Sequence, residues 1–358
     1  MKKKTKCYSG IGGQAVLEGI MMKNGSKYSV AVRRQDGSIA LDVHEYEGIL
    51  KGNIFTKIPF IRGVIAFIDS LVLGMRALNY SAEFFAEEED AGESGFDKAM
   101  NKIFGKYAEK VLSTFAVILA VALALGVFVF LPYFVTGLFR EYIRNSSFMA
   151  IIEGVLRIVI FVLYIVLISQ MKDIKRVFMY HGAEHKCINC VEHGRPLTVT
   201  DVMRSSRFHK RCGTSFLLFV MLISVILFFF ITTTNPFLRM LYRILLIPVV
   251  AGISYEILRL AGRSNNIFLN IISAPGLWLQ RLTTKEPDET MAEVAIAAVE
   301  AVFDWKKYLN ETFGYEIDES WLKDEDPSME EEDDLSFITE EIHTEEIAQT
   351  LDESDPNK

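Results

Sequence analysis

Two long stretches of this chain lack charged residues altogether, which is unusual for a domain that is soluble in water. They run from Val111 to Phe139 and from Thr214 to Thr234. A helix of roughly 20 apolar residues crosses the hydrocarbon core of a bilayer, so each stretch is long enough to span a membrane. The missing charges therefore exclude an ordinary soluble protein and indicate an integral membrane protein.

Cysteines are few, four in 358 residues, and no apolar signal-peptide core follows the basic start at Met1–Lys6. We therefore expect a reduced cytosolic face, where clustered cysteines bind metal more often than they pair. The glycines in Gly10–Ala15 superficially fit a dinucleotide-binding pattern, but no strand precedes them and no Gly-Lys-Ser/Thr follows. We expect these glycines to form a tight turn or to allow a close backbone approach.

The net charge of −8 combines two opposite parts of the chain. Residues from Asp324 onward carry −14, which leaves +6 on the rest. Such an acidic segment is typical of a solvated, disordered extension, with a basic protein partner as the alternative. We expect no nucleic-acid partner.

The apolar runs predict a mostly α-helical, polytopic membrane protein with four transmembrane helices. The expected spans are Val111–Phe139, about Phe148–Met171, Thr214–Thr234 and Phe237–Leu258. Nine lysines and arginines lie between the second and third spans, against two between the first and second. The positive-inside rule then places the second loop and both termini in the cytoplasm.

The amino-terminal region predicts a small β module followed by a helix. Alternating residues in Ser29–Arg34 and Ile39–Val43 flank an Asp-Gly turn, which is a hairpin signal. In Pro59–Tyr80, Arg62, Asp69 and Arg76 are seven residues apart and share one helix face. We expect an amphipathic helix on the membrane surface, with a true span as the alternative.

These features divide the chain into six regions. They are a cytoplasmic β module (1–50), the surface helix (51–82), an acidic linker with a lead-in helix (83–110), the four-helix membrane domain with its cytoplasmic His/Cys loop at 172–213 (111–260), a cytoplasmic helical segment (261–310) and the acidic tail (311–358). The helical segment includes a soluble helix expected at Met291–Tyr308.

The loop between the second and third spans gathers most of the metal-binding side chains. Tyr180–Phe216 contains four of the six histidines and three of the four cysteines. Within it, His181, Glu184 and His185 form an H-x-x-E-H pattern. Residues four apart share a helix face, so both imidazoles can bind one ion, with Glu184 beside them as a general base. The alternative is a helix with two hydrogen-bonded histidines and no metal.

The candidates for a further ligand are Glu192, His193, His209 and Cys212. Two histidines with His209 would leave an open catalytic position, whereas the addition of Cys212 would close a four-ligand structural site. We expect the nitrogens of His181, His185 and His209 to lie roughly 3–5 Å apart. A competing set, Cys187-x2-Cys190 with His209-x2-Cys212, has the spacing of a structural zinc knuckle.

Several motifs together carry a family resemblance. His181–Lys186, His209–Phe216 and the amino-terminal Gly12–Met22 resemble the YqhQ-like bacterial membrane proteins of unknown function. Similar stretches are Ser254–Glu256 and Pro275–Ile296, so the resemblance covers most of residues 10–300. It implies a bacterial inner-membrane protein and a metal-dependent enzyme. The positions that match the family pattern are His181, Glu184, His185, Glu192, His209 and Cys212. Cys187 and Cys190 fall outside it, which weighs against the knuckle.

Two function hypotheses follow. The first is a zinc-dependent hydrolase, or one using another divalent transition metal, with Glu184 as catalytic base and a lipid-linked or membrane-peptide substrate. The second is a non-enzymatic membrane scaffold, assembly factor or transport component with a structural metal or hydrogen-bonded loop. Two further acids stand out. Glu256 is either a functional acid or a partner of Arg259 or of the surface helix. Glu18 is either a further ligand or supporting carboxylate, or part of a simple hydrogen-bonded turn.

Overall fold

The computed structural model describes residues 7–86, 108–139, 141–143, 145–231, 233, 235–262 and 266–315. Most of the predicted acidic linker and nearly all of the acidic tail lie outside these residues. The chain forms two compact units. One, the sheet unit, combines Met1–Ala82, Ile168–Val220 and Ala251–Lys358. The other, the helical unit, combines Glu83–Leu167 and Met221–Val250.

The sheet unit contains a four-stranded antiparallel sheet in the order β1-β2-β3-β4. Its strands are β1 (Gly12–Val16), β2 (Gly19–Asn24), β3 (Lys27–Arg33) and β4 (Ile39–Glu45). The predicted hairpin is confirmed as β3–β4, whose last pair is Arg33 and Ile39. Gly37 supplies the positive φ of the turn, 83°, and the Asp36 carboxylate accepts the backbone N–H of Ser38.

The rest of the sheet unit is mainly helical, and helices are numbered here in chain order. They are α1 (Ile61–Ala86), α5 (Lys172–Glu192), α6 (Val199–Arg204), α9 (Ile267–Thr283), α10 (Glu289–Glu300) and α11 (Trp305–Phe313). The helix expected at Met291–Tyr308 is therefore two helices, since a short turn separates α10 from α11. Asp288 caps α10 by accepting the backbone N–H of Met291.

The core of the sheet unit lies between the sheet, α5 and α10. It includes the fully buried side chains Ile20, Met22, Tyr180, Ile188 and Met291. Distant parts of the chain are joined here, because the N–H of Cys7 donates to the carbonyl of Glu192 and the Tyr308 hydroxyl donates to the carbonyl of Cys7. The core therefore fixes α5 against the amino-terminal sheet.

Helix α1 directs its charged face toward the rest of the sheet unit. Arg62 forms a two-pronged ion pair with Glu256, and Asp69 accepts the Tyr46 hydroxyl at 2.8 Å. The guanidinium of Arg76 lies over the Tyr46 ring. The three charges predicted to share a face thus do so, and the pairing of Glu256 with this helix is the structural alternative named above.

Three helices are long and apolar enough to cross a membrane, among the residues that the structure describes. They are Thr114–Gly137, Phe148–Ile168 and Pro236–Ala261. The first comprises α2 (Ala108–Leu125), a π-helical turn and α3 (Leu131–Gly137), the second lies in α4 (Ser146–Ile168), and the third is α8 (Pro236–Ala261). The run expected to form a further span is α7 (Gly213–Phe229), which has only 17 residues.

The helical unit encloses a charged cluster. Glu153 pairs with Arg157 at 3.0 Å, one helical turn away as predicted, and also with Arg243 at 2.6 Å. All three side chains are at most 5 % exposed. Arg157 also donates to the Ser224 hydroxyl and the Phe128 carbonyl. One carboxylate thus joins two arginines from different helices of this unit.

Candidate metal centre

Helix α5 presents the two motif histidines on one face. It is a continuous helix of 21 residues, so His181 and His185 stand one turn apart and their ring centroids are separated by 4.4 Å. His185 is only 1 % exposed, whereas His181 is partly buried. The helical spacing predicted for the pair is therefore present.

Cys212 completes a group with these histidines from just before α7. One ligand atom each from His181, His185 and Cys212 lie within 4.8 Å of one another. The Cys212 Sγ atom is 3.3 Å from Nε2 of His181 and 3.0 Å from the Thr214 hydroxyl. Sulfur and imidazole nitrogen are the ligands that zinc and related transition metals prefer, so the donor set suits such an ion.

Main-chain carbonyls hold both histidines in the tautomer that a metal requires. Nδ1 of His181 lies 2.9 Å from the carbonyl of Thr283, and Nδ1 of His185 lies 2.6 Å from that of Arg207. A carbonyl oxygen only accepts, so each Nδ1 must carry the hydrogen. Nε2 of each neutral ring is then left with its lone pair, the arrangement usual for metal-binding histidines.

The thiol of Cys212 and the two imidazoles shift each other's pKa values. Burial by itself raises the pKa of Cys212, but His181 and His185 outweigh it and hold that pKa well below its usual value. Burial likewise lowers the pKa of His181, yet the neighbouring Cys212 raises it to about 9. At neutral pH Nε2 of His181 therefore holds a proton that faces the Cys212 sulfur, and an ion bound by the pair would displace that proton. The group therefore favours a thiolate, the form of cysteine that binds metal.

Glu184 lies beside this group and is held from the sheet. The side chain is 5 % exposed, and burial raises the pKa of its carboxyl against the opposing effect of the two histidines. The backbone N–H of Gly13 in β1 donates to it. A Cβ atom at Gly13 would lie 3.1 Å from Cγ of Glu184 and 2.5 Å from the Met21 carbonyl oxygen. The glycine therefore permits the close backbone approach expected of this stretch.

Glu192 and His209 form a second cluster next to the first. The His209 ring centroid is 5.6 Å from that of His185, while its Nε2 faces a carboxylate oxygen of Glu192 at 3.5 Å. Glu192 is fully buried and also accepts from Arg211 and Ser9. Although burial opposes it, His209 and Arg211 lower the pKa of Glu192. The structure thus places these two predicted ligands against each other rather than within the close group.

The two remaining loop cysteines lie away from Cys212. Cys187 and Cys190 are buried in the core of the sheet unit, where the Cys190 thiol lies 3.2 Å from the Pro196 carbonyl. On the helical wheel they stand about 120° and 180° from His181, which turns them from the metal-binding face. Among the described residues, the close ligand group contains neither of them.

Two side chains outside the predicted site shape it. Gln280 accepts the backbone N–H of His209 and donates to the carbonyl of the same residue and to the Ser215 hydroxyl. It therefore clamps the chain on both sides of Cys212. Glu18 does not join the ligands; it pairs with Arg176 and accepts the Tyr180 hydroxyl, which supports α5 from the β1–β2 turn.

The described residues thus combine three candidate membrane spans with a His/His/Cys group that could hold a metal ion. The chain belongs to the family described as "Protein of unknown function (DUF1385)", whose model matches residues 58–305. It is 39 % identical over 286 residues to the "Uncharacterized protein YqhQ" of Bacillus subtilis (strain 168), which covers 80 % of this chain and 89 % of that protein. This agrees with the resemblance seen in the motifs. No solved structure matches the chain.

Proposed function

We propose that this protein is a zinc-dependent membrane enzyme, most simply a hydrolase, whose ion is held by His181, His185 and Cys212. The observation that carries the proposal is that both histidines donate Nδ1–H to carbonyls and leave Nε2 for a metal beside a thiolate. Another divalent transition metal with the same ligand preferences fits as well. When bound by three protein ligands, zinc lowers the pKa of a coordinated water toward about 7.

Glu184 is the proposed general base. A carboxyl whose pKa is raised by burial accepts a proton more readily near neutral pH than an exposed one does. The Gly13 N–H fixes its position next to the two histidines. In this assignment His181, His185 and Cys212 bind the ion, and Glu184 moves the proton. His209 and Glu192 remain predicted ligands, and in the structure the Glu192 carboxylate contacts both His209 and Arg211.

The proposed setting is the cytoplasmic face of a bacterial inner membrane. Helix α7 would serve as the fourth span, since its 17 residues reach roughly 25 Å, and a slightly thinned bilayer accommodates such a helix. Four spans with the lysine- and arginine-rich loop inside place both termini in the cytoplasm. An exposed apolar face on α1 supports its position on the membrane surface. A lipid-linked or membrane-peptide substrate would then reach the site along the membrane.

Metal analysis of the purified protein tests the proposal. We expect about one zinc per chain in the wild type and none in the double variant His181→Ala with His185→Ala, because two of three ligands are removed. His44→Ala is the matched control, since His44 is an exposed histidine that pairs with Asp42 on β4. A wild-type protein without stoichiometric metal, or a double variant that retains it, would contradict the assignment.

The burial of the ligands favours a second candidate, a structural metal site in a membrane scaffold, assembly factor or transport component. His185 and Cys212 are 1 % and 3 % exposed, which suits a closed site that stabilises the fold. Glu184→Gln separates the two functions. An enzyme should keep its metal and thermal stability but lose function in the host cell, since only the base is removed. A scaffold should tolerate the substitution.

A further inference from the structure

The segment that joins the sheet to α1 exposes an unusual number of large apolar side chains. Ile49, Leu50, Ile54, Phe55 and Phe60 are all exposed, Ile54 to 68 %. The short 3-10 turn Ile54–Thr56 within it has no buried residue. Scattered surface apolar residues need no explanation, but a contiguous exposed patch marks an interaction surface. This segment, residues 49–60, is called the apolar loop below.

The apolar loop continues into a stripe along α1. The exposed residues Ile61, Ile68 and Met75 are seven apart, and Leu71 and Leu78 lie beside them on the same face. The charged face of α1 points the opposite way, toward the sheet unit. Lys51 and Lys57 lie within the apolar loop. Apolar side chains interleaved with lysines are typical of protein surfaces that enter the headgroup layer of a bilayer.

A cationic pocket lies directly beside this surface. It has a volume of about 520 Å³, and its walls include Tyr8, Thr56, Lys57, Arg62, Tyr255 and Arg259. Asp69 also lines it, but that carboxylate accepts from the Tyr46 hydroxyl and the Ile49 N–H. Glu256 is held by Arg62 and lies 4.0 Å from Arg259. Three cations against these two engaged carboxylates leave the pocket with an excess of positive charge.

Two residues that line the pocket lie at the end of a candidate span, and this indicates the depth of the pocket relative to a membrane. Tyr255 and Arg259 belong to the last two turns of α8, a helix long and apolar enough to be a span. Tyrosine and arginine at the end of a span lie at the level of the lipid headgroups. The apolar loop contributes Thr56 and Lys57 to the same pocket. Pocket, loop and helix end thus meet where a phospholipid carries its phosphate.

We propose that this pocket binds the phosphate headgroup of an anionic phospholipid, whose acyl chains lie along the apolar loop and α1. Lysine and arginine supply the charge-assisted hydrogen bonds that phosphate oxygens accept, and Tyr255 in the pocket wall adds a hydroxyl. Tyr8 also connects the pocket to the metal centre, because the guanidinium of Arg211, the residue before Cys212, stacks on its ring at 4.4 Å.

This inference rests on the membrane-surface setting proposed above but not on metal chemistry. A lipid bound here would either be presented to the metal centre or hold the sheet unit on the bilayer. Both roles require the same headgroup contacts, so lipid retention is the quantity to measure.

The test uses the full-length protein, purified in a non-ionic detergent and examined by native mass spectrometry with added lipid. We expect dioleoylphosphatidylglycerol to be retained more strongly than dioleoylphosphatidylcholine. Lys57→Gln and Arg259→Gln should each weaken phosphatidylglycerol retention about fivefold, because each removes one positive charge near the headgroup. Lys307→Gln, at an exposed lysine of α11, is the matched control and should change nothing.

Thermal unfolding of the same samples shows whether each variant is folded, and Lys57, which is exposed, provides a substitution that avoids the core. Equal retention of the two lipids would overturn the proposal, and so would folded Lys57 and Arg259 variants that bind as the wild type does. Displacement of the lipid by equimolar inorganic phosphate would also overturn it, since the ligand would then be a soluble anion. The His181→Ala, His185→Ala protein should still retain phosphatidylglycerol, so a failure of the metal assignment is recognised separately.

Discussion

Gly182→Ala, between the two motif histidines, is predicted to destabilise the protein even though alanine favours helices. In an unconstrained helix the substitution stabilises by about 1 kcal/mol. Here a Cβ atom at Gly182 would lie 2.0 Å from the carbonyl oxygen of Lys285, which is main chain and not a flexible side-chain end. The Lys285 segment must therefore move by more than about 1 Å to restore an ordinary contact. Overpacking of this kind costs about 1–3 kcal/mol.

The displaced segment also holds the metal centre. Lys285 donates its N–H to the Phe178 carbonyl, and Thr283, two residues earlier, accepts Nδ1–H of His181. Loss of a hydrogen bond to a metal-binding histidine typically weakens metal affinity about 10- to 100-fold. We therefore expect Gly182→Ala to lower both the thermal midpoint and the affinity for zinc.

Gly213→Ala is the matched control, because a Cβ at this first residue of α7, next to Cys212, would meet nothing within 4 Å. The helix-propensity gain is common to both variants, so they should differ by the overpacking cost of about 1–3 kcal/mol, or roughly 2–12 °C in thermal midpoint for a unit of this size. Differential scanning fluorimetry in detergent measures the midpoints, and competition with a chelating dye measures zinc affinity. If Gly182→Ala matched Gly213→Ala in both assays, the close approach of Lys285 and its link to His181 would be refuted.

Three further predictions test separate parts of the structure. Glu192→Gln should cost about 3–5 kcal/mol at pH 7, because it removes the buried carboxylate that pairs with Arg211 and faces the His209 ring. The folded-state pKa of Glu192 is depressed, so the ionised carboxylate stabilises the fold above the ordinary pKa of 4.5, and this stabilisation is lost as the pH falls below it. The difference in unfolding free energy between wild type and Glu192→Gln should therefore be smaller at pH 4 than at pH 7. Cys187→Ala with Cys190→Ala should keep its metal content while Cys212→Ala loses it, and equal loss in both would favour the knuckle. Glu153→Gln should lower the thermal midpoint by several degrees, since Arg157 and Arg243 lose their shared carboxylate, and an unchanged midpoint would show that the cluster is energetically neutral.

The features that sequence alone predicts well are those with a strict local period. The four-residue spacing of His181 and His185 determines their common face once the segment is helical. The Asp36-Gly37 turn between alternating strands specifies a hairpin for the same reason. Charges seven residues apart on α1 likewise share a face, as observed. In each case a few neighbouring residues contain all of the necessary information.

Features that depend on residues far apart in the chain cannot be predicted from a local sequence pattern. The carbonyls of Thr283 and Arg207 hold the two histidines, and a main-chain oxygen has no signature in a sequence. Glu192 shares the face of His181, but eleven residues of helix place it roughly 16 Å further along the axis. Strand β1 was missed because its glycines resemble a turn, and they are tolerated there because α5 approaches that edge. Helix α9 contains Pro275, which normally argues against a continuous helix.

The sheet unit is assembled from three segments that are far apart in the chain, so it cannot fold until most of the chain has been synthesised. Strand β1 leaves the ribosome early, but α5, against which it packs, follows only after two candidate spans, and α10 only after α8. The amino-terminal strands must therefore wait, with their apolar face uncovered, while the intervening helices are synthesised. Contacts so distant along a chain form slowly and leave exposed surface prone to aggregation. Folding of this protein in the cell should accordingly depend on chaperones, and truncation before α10 should leave the nascent sheet without its core.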